Sequence, residues 1–312
     1  MGLWLNPQAW KKGKKMSDIR EDKMHRAYKI AEELIADKLR DENPQLAAEI
    51  METQDVDVIV VRGQYDFIES VLRLSGTPFK LIEPGALGRE LLTPEKIVFI
   101  NCPGNLEPIG LEKLNSFVQS GGFLFTTDWA LKQVLEPVFP GYVRYNLKAT
   151  ADEVVRVEVD AGQDPFLQTI LGPEEDPQWW LEGSSYPIEV KSPGEVEVLV
   201  HSREVGEKYG ADPVFVSFEP GEGKVYHMIS HFYLQRSETR SQRHRSSGME
   251  YFGEKGLSCK YLAKYTSMGL AEEKLADIES AYTSSAMTKK ILRDKVQHLK
   301  RRGEWKKKSS VP

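Results

Sequence analysis

Two cysteines in 312 residues, Cys102 and Cys259, are too few for a disulfide framework or a thiolate metal cluster. Histidine is also sparse, six in all, and none has a Cys at the spacing a zinc site uses. No metal and no cofactor is therefore expected. No apolar run approaches the ~20 residues of a membrane-spanning helix. The N-terminal lysines are not followed by the apolar core of a secretory signal, and Asn6 stands where a myristoylation motif wants Ser or Thr. Also missing are a GxxxxGK[ST] phosphate loop, a GxGxxG after the first strand, HExxH and G-x-S-x-G, which excludes the common nucleotide, dinucleotide, zinc-protease and serine-hydrolase chemistries. Internal repeats and low-complexity tracts are absent as well. These absences leave a soluble protein of the reducing cytoplasm with no membrane contact.

What is present fits a globular chain, with 40% hydrophobic and 29% charged residues. The length allows one large domain with appendages or two smaller ones. Charge is uneven. Residues 287–312 carry ten Lys or Arg against two acids, a balance of +8 that leaves −13 for residues 1–286 within a total of −5. A basic end on an acidic body suits an acidic partner or nucleic acid, or folds onto the protein's own surface.

The stretch from Ile97 to Leu131 organises the rest. Ile97 to Ile100 is a short apolar run suited to a strand buried on both faces, and it is broken by Asn101, Cys102, Pro103, Gly104 and Asn105. Leu111, Leu114, Phe117 and Val118 recur at helical spacing, Gly121-Gly122 closes that helix, and Phe123 to Thr127 is a second strand ending at Asp128. Val56 to Val61 and Phe79 to Ile82 read as two earlier strands around a helix from Tyr65 to Leu74, and Leu131 to Val138 as a later helix. Alternating strands and helices of these lengths predict a doubly wound, mainly parallel α/β sheet of flavodoxin-like type. After Tyr145 the pattern changes to period-two alternation at 154–159, 188–190, 196–200, 214–218 and 224–229, which predicts added antiparallel strands, some extending the sheet and others forming a flap.

Helices flank this unit. Residues 1–15 have no period and read as an arm. Ser17 is placed to cap a helix whose apolar face is Met24, Ala27, Tyr28, Ala31, Leu34, Ile35 and Leu39. Asn43-Pro44 ends it and opens a second helix. Gln235 to Gly248 reads as a linker. Beyond it, helices are expected around 257–265, 270–282 and 287–299. The resulting division is 1–54 arm and helices, 55–235 α/β domain, and 236–312 linker, C-terminal helices and basic tail. The terminal helices must pack on the domain or on a partner subunit, so a protein partner or a homo-oligomer is expected through them.

These residues resemble the glutamine amidotransferase-like superfamily, in its class I and ThuA-like branches, over roughly Asp55 to Tyr233. Cys102-Pro103-Gly104 resembles the family's Pro-Gly turn, which supplies oxyanion contacts. By strand register Asp128 falls where the family holds its nucleophile Cys, and the GKVYHMISH run ending at His231 resembles the strand that ends in a catalytic His. The departure is at the elbow, because Asp128 cannot make the thiolate attack a Cys makes there. The resemblance thus implies a non-catalytic member that binds or scaffolds within a cytoplasmic assembly. The alternative is a ThuA-like hydrolase or sugar-modifying enzyme using Asp128 and His231.

Each candidate residue has two readings. Cys102 is an activated nucleophile or a buried space-filler. Asp128 is a base, nucleophile or ligand acceptor, or it caps the helix that follows. His231 is an acid/base group or satisfies backbone groups at a strand end. Trp179, Trp180 and Glu182, in QWWLEGSSYP, form a lid or simply pack. Pro103, Gly104, Asn105, Trp129, Trp180 and Glu182 are the expected ligand-binding positions.

Overall fold

The computed structural model describes residues 14–159, 164–171, 177–232 and 241–305, with side chains from Met24 onward. The arm at residues 1–13, the cap role of the Ser17 side chain, Tyr233, residues 235–240 of the expected linker and residues 306–312 lie outside the described residues.

The strands are β1 (Val58–Val61), β2 (Lys80–Ile82), β3 (Ile97–Ile100), β4 (Phe123–Thr127), β5 (Val143–Tyr145), β6 (Glu153–Arg156), β7 (Gln178–Leu181), β8 (Ile188–Val190), β9 (Val196–His201), β10 (Pro213–Phe218) and β11 (Lys224–Met228). Seven of them form one sheet in the order β2-β1-β3-β4-β11-β10-β9. From β2 to β11 neighbouring strands are parallel, while β10 and β9 pair antiparallel at the edge. The fold is therefore the expected flavodoxin-like α/β sheet with antiparallel additions. The flap is two separate ribbons, β5 with β8 and β6 with β7. Of these, β5 and β7 were not legible as strands: three residues are too few to show alternation, and the Trp179-Trp180 pair buries both of its faces.

Helix α1 (Lys14–Glu42) is followed by α2 (Pro44–Glu52), α3 (Ile68–Leu74), α4 (Pro108–Gln119), α5 (Glu136–Val138), α6 (Pro165–Leu171), α7 (Arg203–Tyr209), α8 (Gly248–Glu254), α9 (Leu262–Ser267) and α10 (Leu275–Arg301). As expected, Asn43 caps α2 by accepting from the Leu46 N–H at 3.0 Å, with Pro44 in the first turn. Helix α1 starts at Lys14, so Ser17 lies inside it. The helices expected around 270–282 and 287–299 are one. No Gly or Pro interrupts residues 275–301, so α10 runs unbroken for 27 residues.

The terminal helices are core. The α1 face from Met24 to Leu39 is at most 4% exposed and shares one hydrophobic cluster with the strands and with α10. Near its start α10 meets the carboxyl ends of the strands, where Ser284 Oγ and Tyr28 Oη both donate to the Phe232 carbonyl at 2.7 and 2.8 Å. Near its end it meets their amino ends, where Lys295 Nζ bonds the carbonyls of Pro94 and Gly121 and lies 4.5 Å from the Phe123 ring centre. Of the two covers expected for the α1 face, the domain itself or a partner subunit, the first is the one present.

The described part of the basic end folds onto the body. Lys289 pairs with Glu32, Lys290 with Asp164, Arg293 with Glu49, Lys300 with Glu52 and Arg302 with Glu222. The described end of the expected linker is docked too, with Arg243 held between Glu254 and Glu279. Among the described residues no helix is long and apolar enough to cross a membrane.

Candidate functional site

Four loops at the carboxyl ends of β1, β3, β4 and β11 converge because these strands are parallel neighbours. Asp66 follows β1, Cys102 follows β3, Asp128 follows β4 and His231 follows β11. The register that pairs Met228 with Thr127, and the Asp128 N–H bond to the Met228 carbonyl at 2.9 Å, bring His231 beside Asp128.

Asp128 stands at the strand-to-helix corner with φ +48°, a left-handed conformation rare for a residue with a side chain. Its carboxylate is spent on the chain that covers it. Oδ1 accepts from the Tyr186 N–H at 2.9 Å, and Oδ2 from Ser185 Oγ at 3.1 Å. The helical turn that follows has no side-chain cap, so the capping role envisaged for Asp128 is not the one it has.

His231 lies between two acids, with Nε2 3.2 Å from Asp128 Oδ2 and Nδ1 2.7 Å from Glu182 Oε2. Neither ring N–H is aligned for a hydrogen bond, so the pairing is one of charge at short range. Burial alone would lower the imidazole pKa. Asp128, Cys102 and Glu182 outweigh it and hold the pKa well above the ordinary 6.5. His227, within β11, faces elsewhere: its Nδ1 meets Thr126 Oγ1 at 2.8 Å, and burial pushes its pKa down to about 3.

Cys102 is fully buried, 3.9 Å from Asp128 Oδ2. Burial raises the thiol pKa, the Asp128 charge adds to this, and His231 opposes it without prevailing. The folded thiol is therefore protonated and a poor nucleophile. The donors an oxyanion would use are already engaged. The Gly104 N–H bonds the Asn101 carbonyl at 3.1 Å, and the Trp129 N–H faces the Cys102 sulfur. Gly104, at φ +77°, is pressed against the following helical turn, where a Cβ would lie 2.9 Å from Ala130 and Val134.

Beneath this cluster Asp66 ties the strand ends together. It is fully buried and accepts from Thr127 Oγ1 at 2.7 Å, Phe67 N–H at 2.7 Å and Phe232 N–H at 3.0 Å, while Thr127 Oγ1 accepts from the Cys102 N–H at 3.1 Å. Burial raises the Asp66 pKa against the opposing His231 charge. Gly63 lets the β1 loop pass the Cys102 carbonyl, which a Cβ would approach to 2.4 Å.

The structure thus gathers Cys102, Asp128, His231 and Glu182 and buries the first three. Glu182 is the exception, with a side chain 27% exposed at the rim. Pro103 and Gly104 are buried in the turn, joined to Cys102 by a cis peptide bond, and Asn105 is exposed beyond it. Trp180 packs behind His231 with Trp179 around a cavity of about 20 Å³, space for one water. Trp129 is half-buried at the rim, where its Nε1 donates to the Ser184 carbonyl at 2.7 Å and its ring lies between Tyr65 (5.4 Å, edge-on) and Tyr186 (5.7 Å, stacked). Tyr145 stacks on Tyr186 at 3.8 Å. Sequence reasoning missed Asp66, Thr127, Ser185 and Tyr186. An acid just after a strand and before a helix, as at Asp66, was the available signal.

Spacing in the sequence also pointed away from metal ligands. The Cys102, Asp128 and His231 donor atoms nevertheless all lie within 4.8 Å of one another, because each comes from a different strand end.

No family model matches the sequence, and no curated protein matches it. Solved structures give remote likenesses. A protein from Bacteroides uniformis described as ThuA-like is 14% identical with a TM-score of 0.42, over 57% of this chain and 83% of that one. A cytoplasmic protein from Salmonella typhimurium is 9% identical with a TM-score of 0.41, over 74% and 98%. A β-galactosidase from Rahnella sp. R3 is 14% identical with a TM-score of 0.40, over 68% and 31%. The chain spans less than a third of the length of the bacterial glycosidases it is similar to. Likeness at this level bears on neither activity nor ligand.

Proposed function

We propose that this protein is a catalytically silent member of the amidotransferase-like superfamily, of ThuA-like type, that works as a binding component of a cytoplasmic assembly. One observation carries this reading: the place above the elbow where a substrate carbonyl would sit is filled by the chain itself. Ser185 and Tyr186 bond the Asp128 carboxylate, and the Gly104 and Trp129 N–H groups are already taken. A protonated, buried Cys102 completes a site with no free nucleophile. The face left for binding is the aromatic rim of Tyr65, Trp129, Tyr186 and Tyr145, rings that offer large contact area at low entropy cost. An acidic partner or nucleic acid is proposed for the basic end at residues 287–312 on its charge balance of +8.

The test is turnover and binding together. Ammonia release from glutamine, and nitrophenol release from chromogenic glycosides and esters, should match buffer for the wild type, Asp128→Asn and His231→Gln alike. Turnover by the wild type that both variants lose would establish the alternative hydrolase instead, an alternative favoured by the placement of His231 between Asp128 and Glu182. Trp129→Ala should lose co-purifying partners while keeping its fold. Partners unchanged in Trp129→Ala and Tyr65→Ala would remove the rim as the binding face.

A further inference from the structure

We propose that Cys102 Sγ, Asp128 Oδ2 and His231 Nε2 form a binding site for a single Zn²⁺ ion, with Glu182 orienting the imidazole from behind. The donors come from three strand ends, those of β3, β4 and β11. Their spacing is close to what one ion needs. Tetrahedral zinc sets nitrogen and oxygen donors about 3.4 Å apart and sulfur about 3.6 Å from either, given ordinary bond lengths. The observed separations are 3.2 Å from Nε2 to Oδ2 and 3.9 Å from Sγ to Oδ2, with all three donors inside 4.8 Å.

A second, independent observation points the same way. His231 is 4% exposed, yet both its ring nitrogens lack an aligned hydrogen-bond partner. Nε2, the nitrogen that faces Asp128, makes no aligned hydrogen bond and so is open to an ion. On the other side of the ring Nδ1 lies 2.7 Å from Glu182 Oε2, the carboxylate–histidine arrangement that fixes the tautomer and raises the basicity of a metal-bound His. The Asp128 carboxylate is steadied in turn by Tyr186 N–H and Ser185 Oγ.

Charge balance favours the ion as well. A thiolate, a carboxylate and a neutral imidazole around Zn²⁺ sum to zero, so the ion and its three donors carry no net charge of their own. Binding displaces one proton from the thiol and one from the imidazolium to solvent. The mixed sulfur, nitrogen and oxygen set selects zinc over magnesium or calcium, which take oxygen.

Cobalt(II) is the probe, added to the full-length, chelator-stripped protein. One equivalent should bind, giving a thiolate-to-cobalt charge-transfer band and intense tetrahedral visible bands, and Zn²⁺ should abolish both stoichiometrically. Cys102→Ser should lose the charge-transfer band and Cys259→Ser should keep it. Glu182→Gln should retain one-to-one binding weakened about 10–100-fold. Asp128→Asn should weaken it further, and it decides the matter if Cys102→Ser does not fold. Absence of the charge-transfer band, its survival in Cys102→Ser, its loss in Cys259→Ser or undiminished binding by Asp128→Asn overturns the site. The readout is a spectrum, so the result stands apart from whether the crevice turns over any substrate.

Discussion

Asp128→Asn isolates the charge at the elbow from its shape. The amide is isosteric, keeps an acceptor for the Tyr186 N–H, and can donate to Ser185 Oγ after the hydroxyl turns. What changes is the environment of His231, which loses the more deeply buried of the two carboxylates beside its charged form. At 3.2 Å and an effective dielectric of about 20, the attraction is on the order of 5 kcal/mol. The variant does not lose all of this, because Glu182 remains at 2.7 Å and the imidazole can release its proton. A loss of about 2–4 kcal/mol is expected, near the lower end of what breaking a buried pair costs. The pH dependence gives the sharper signature. The folded pKa of His231 is raised above its ordinary 6.5, so this stabilisation is fully present below that value and is lost as pH rises through the folded pKa. Urea unfolding of the wild type and variant across that window should show the gap wide at the acid end and narrow at the alkaline end. His231→Gln should remove the dependence, and adding Asp128→Asn to it should cost little more. A gap that is independent of pH, or below about 0.5 kcal/mol throughout, refutes the reasoning.

Other perturbations reach the rest of the fold. Burial lowers the Lys295 pKa from 10.5 to about 7, so the folded state holds fewer protons than the unfolded chain between those values and stability should climb with pH across them. Lys295→Met should flatten that climb, and an unchanged profile in urea titrations would contradict it. Gly63→Ala drives a Cβ to 2.4 Å from the Cys102 carbonyl and should cost at least about 1–3 kcal/mol in thermal unfolding, whereas Gly194→Ala, with open space around it, should change little. Leu34→Ala, fully buried on α1, should cost about 2–5 kcal/mol. A near-neutral result there would mean that the N-terminal helix does not belong to the cooperative core.

The sequence by itself determined the sheet. β1, β3 and β4 are short apolar runs whose buried faces leave few alternatives to a strand, β10 and β11 are legible from their alternation, and the turns after β3, β4 and β11 place Cys102, Asp128 and His231 at one end. It also determined the apolar face of α1, since helical period shows which residues must be buried. What covers that face was decided only in three dimensions, where α10 lies along it and the basic side chains of α10 meet acids far away in the chain. The site divides in the same way. That an acid stands at the elbow is a matter of register. That Glu182 reaches His231, that Ser185 and Tyr186 close over Asp128, and that Asp66 binds three loops together depend on contacts between segments 50 to 170 residues apart, which no local pattern encodes.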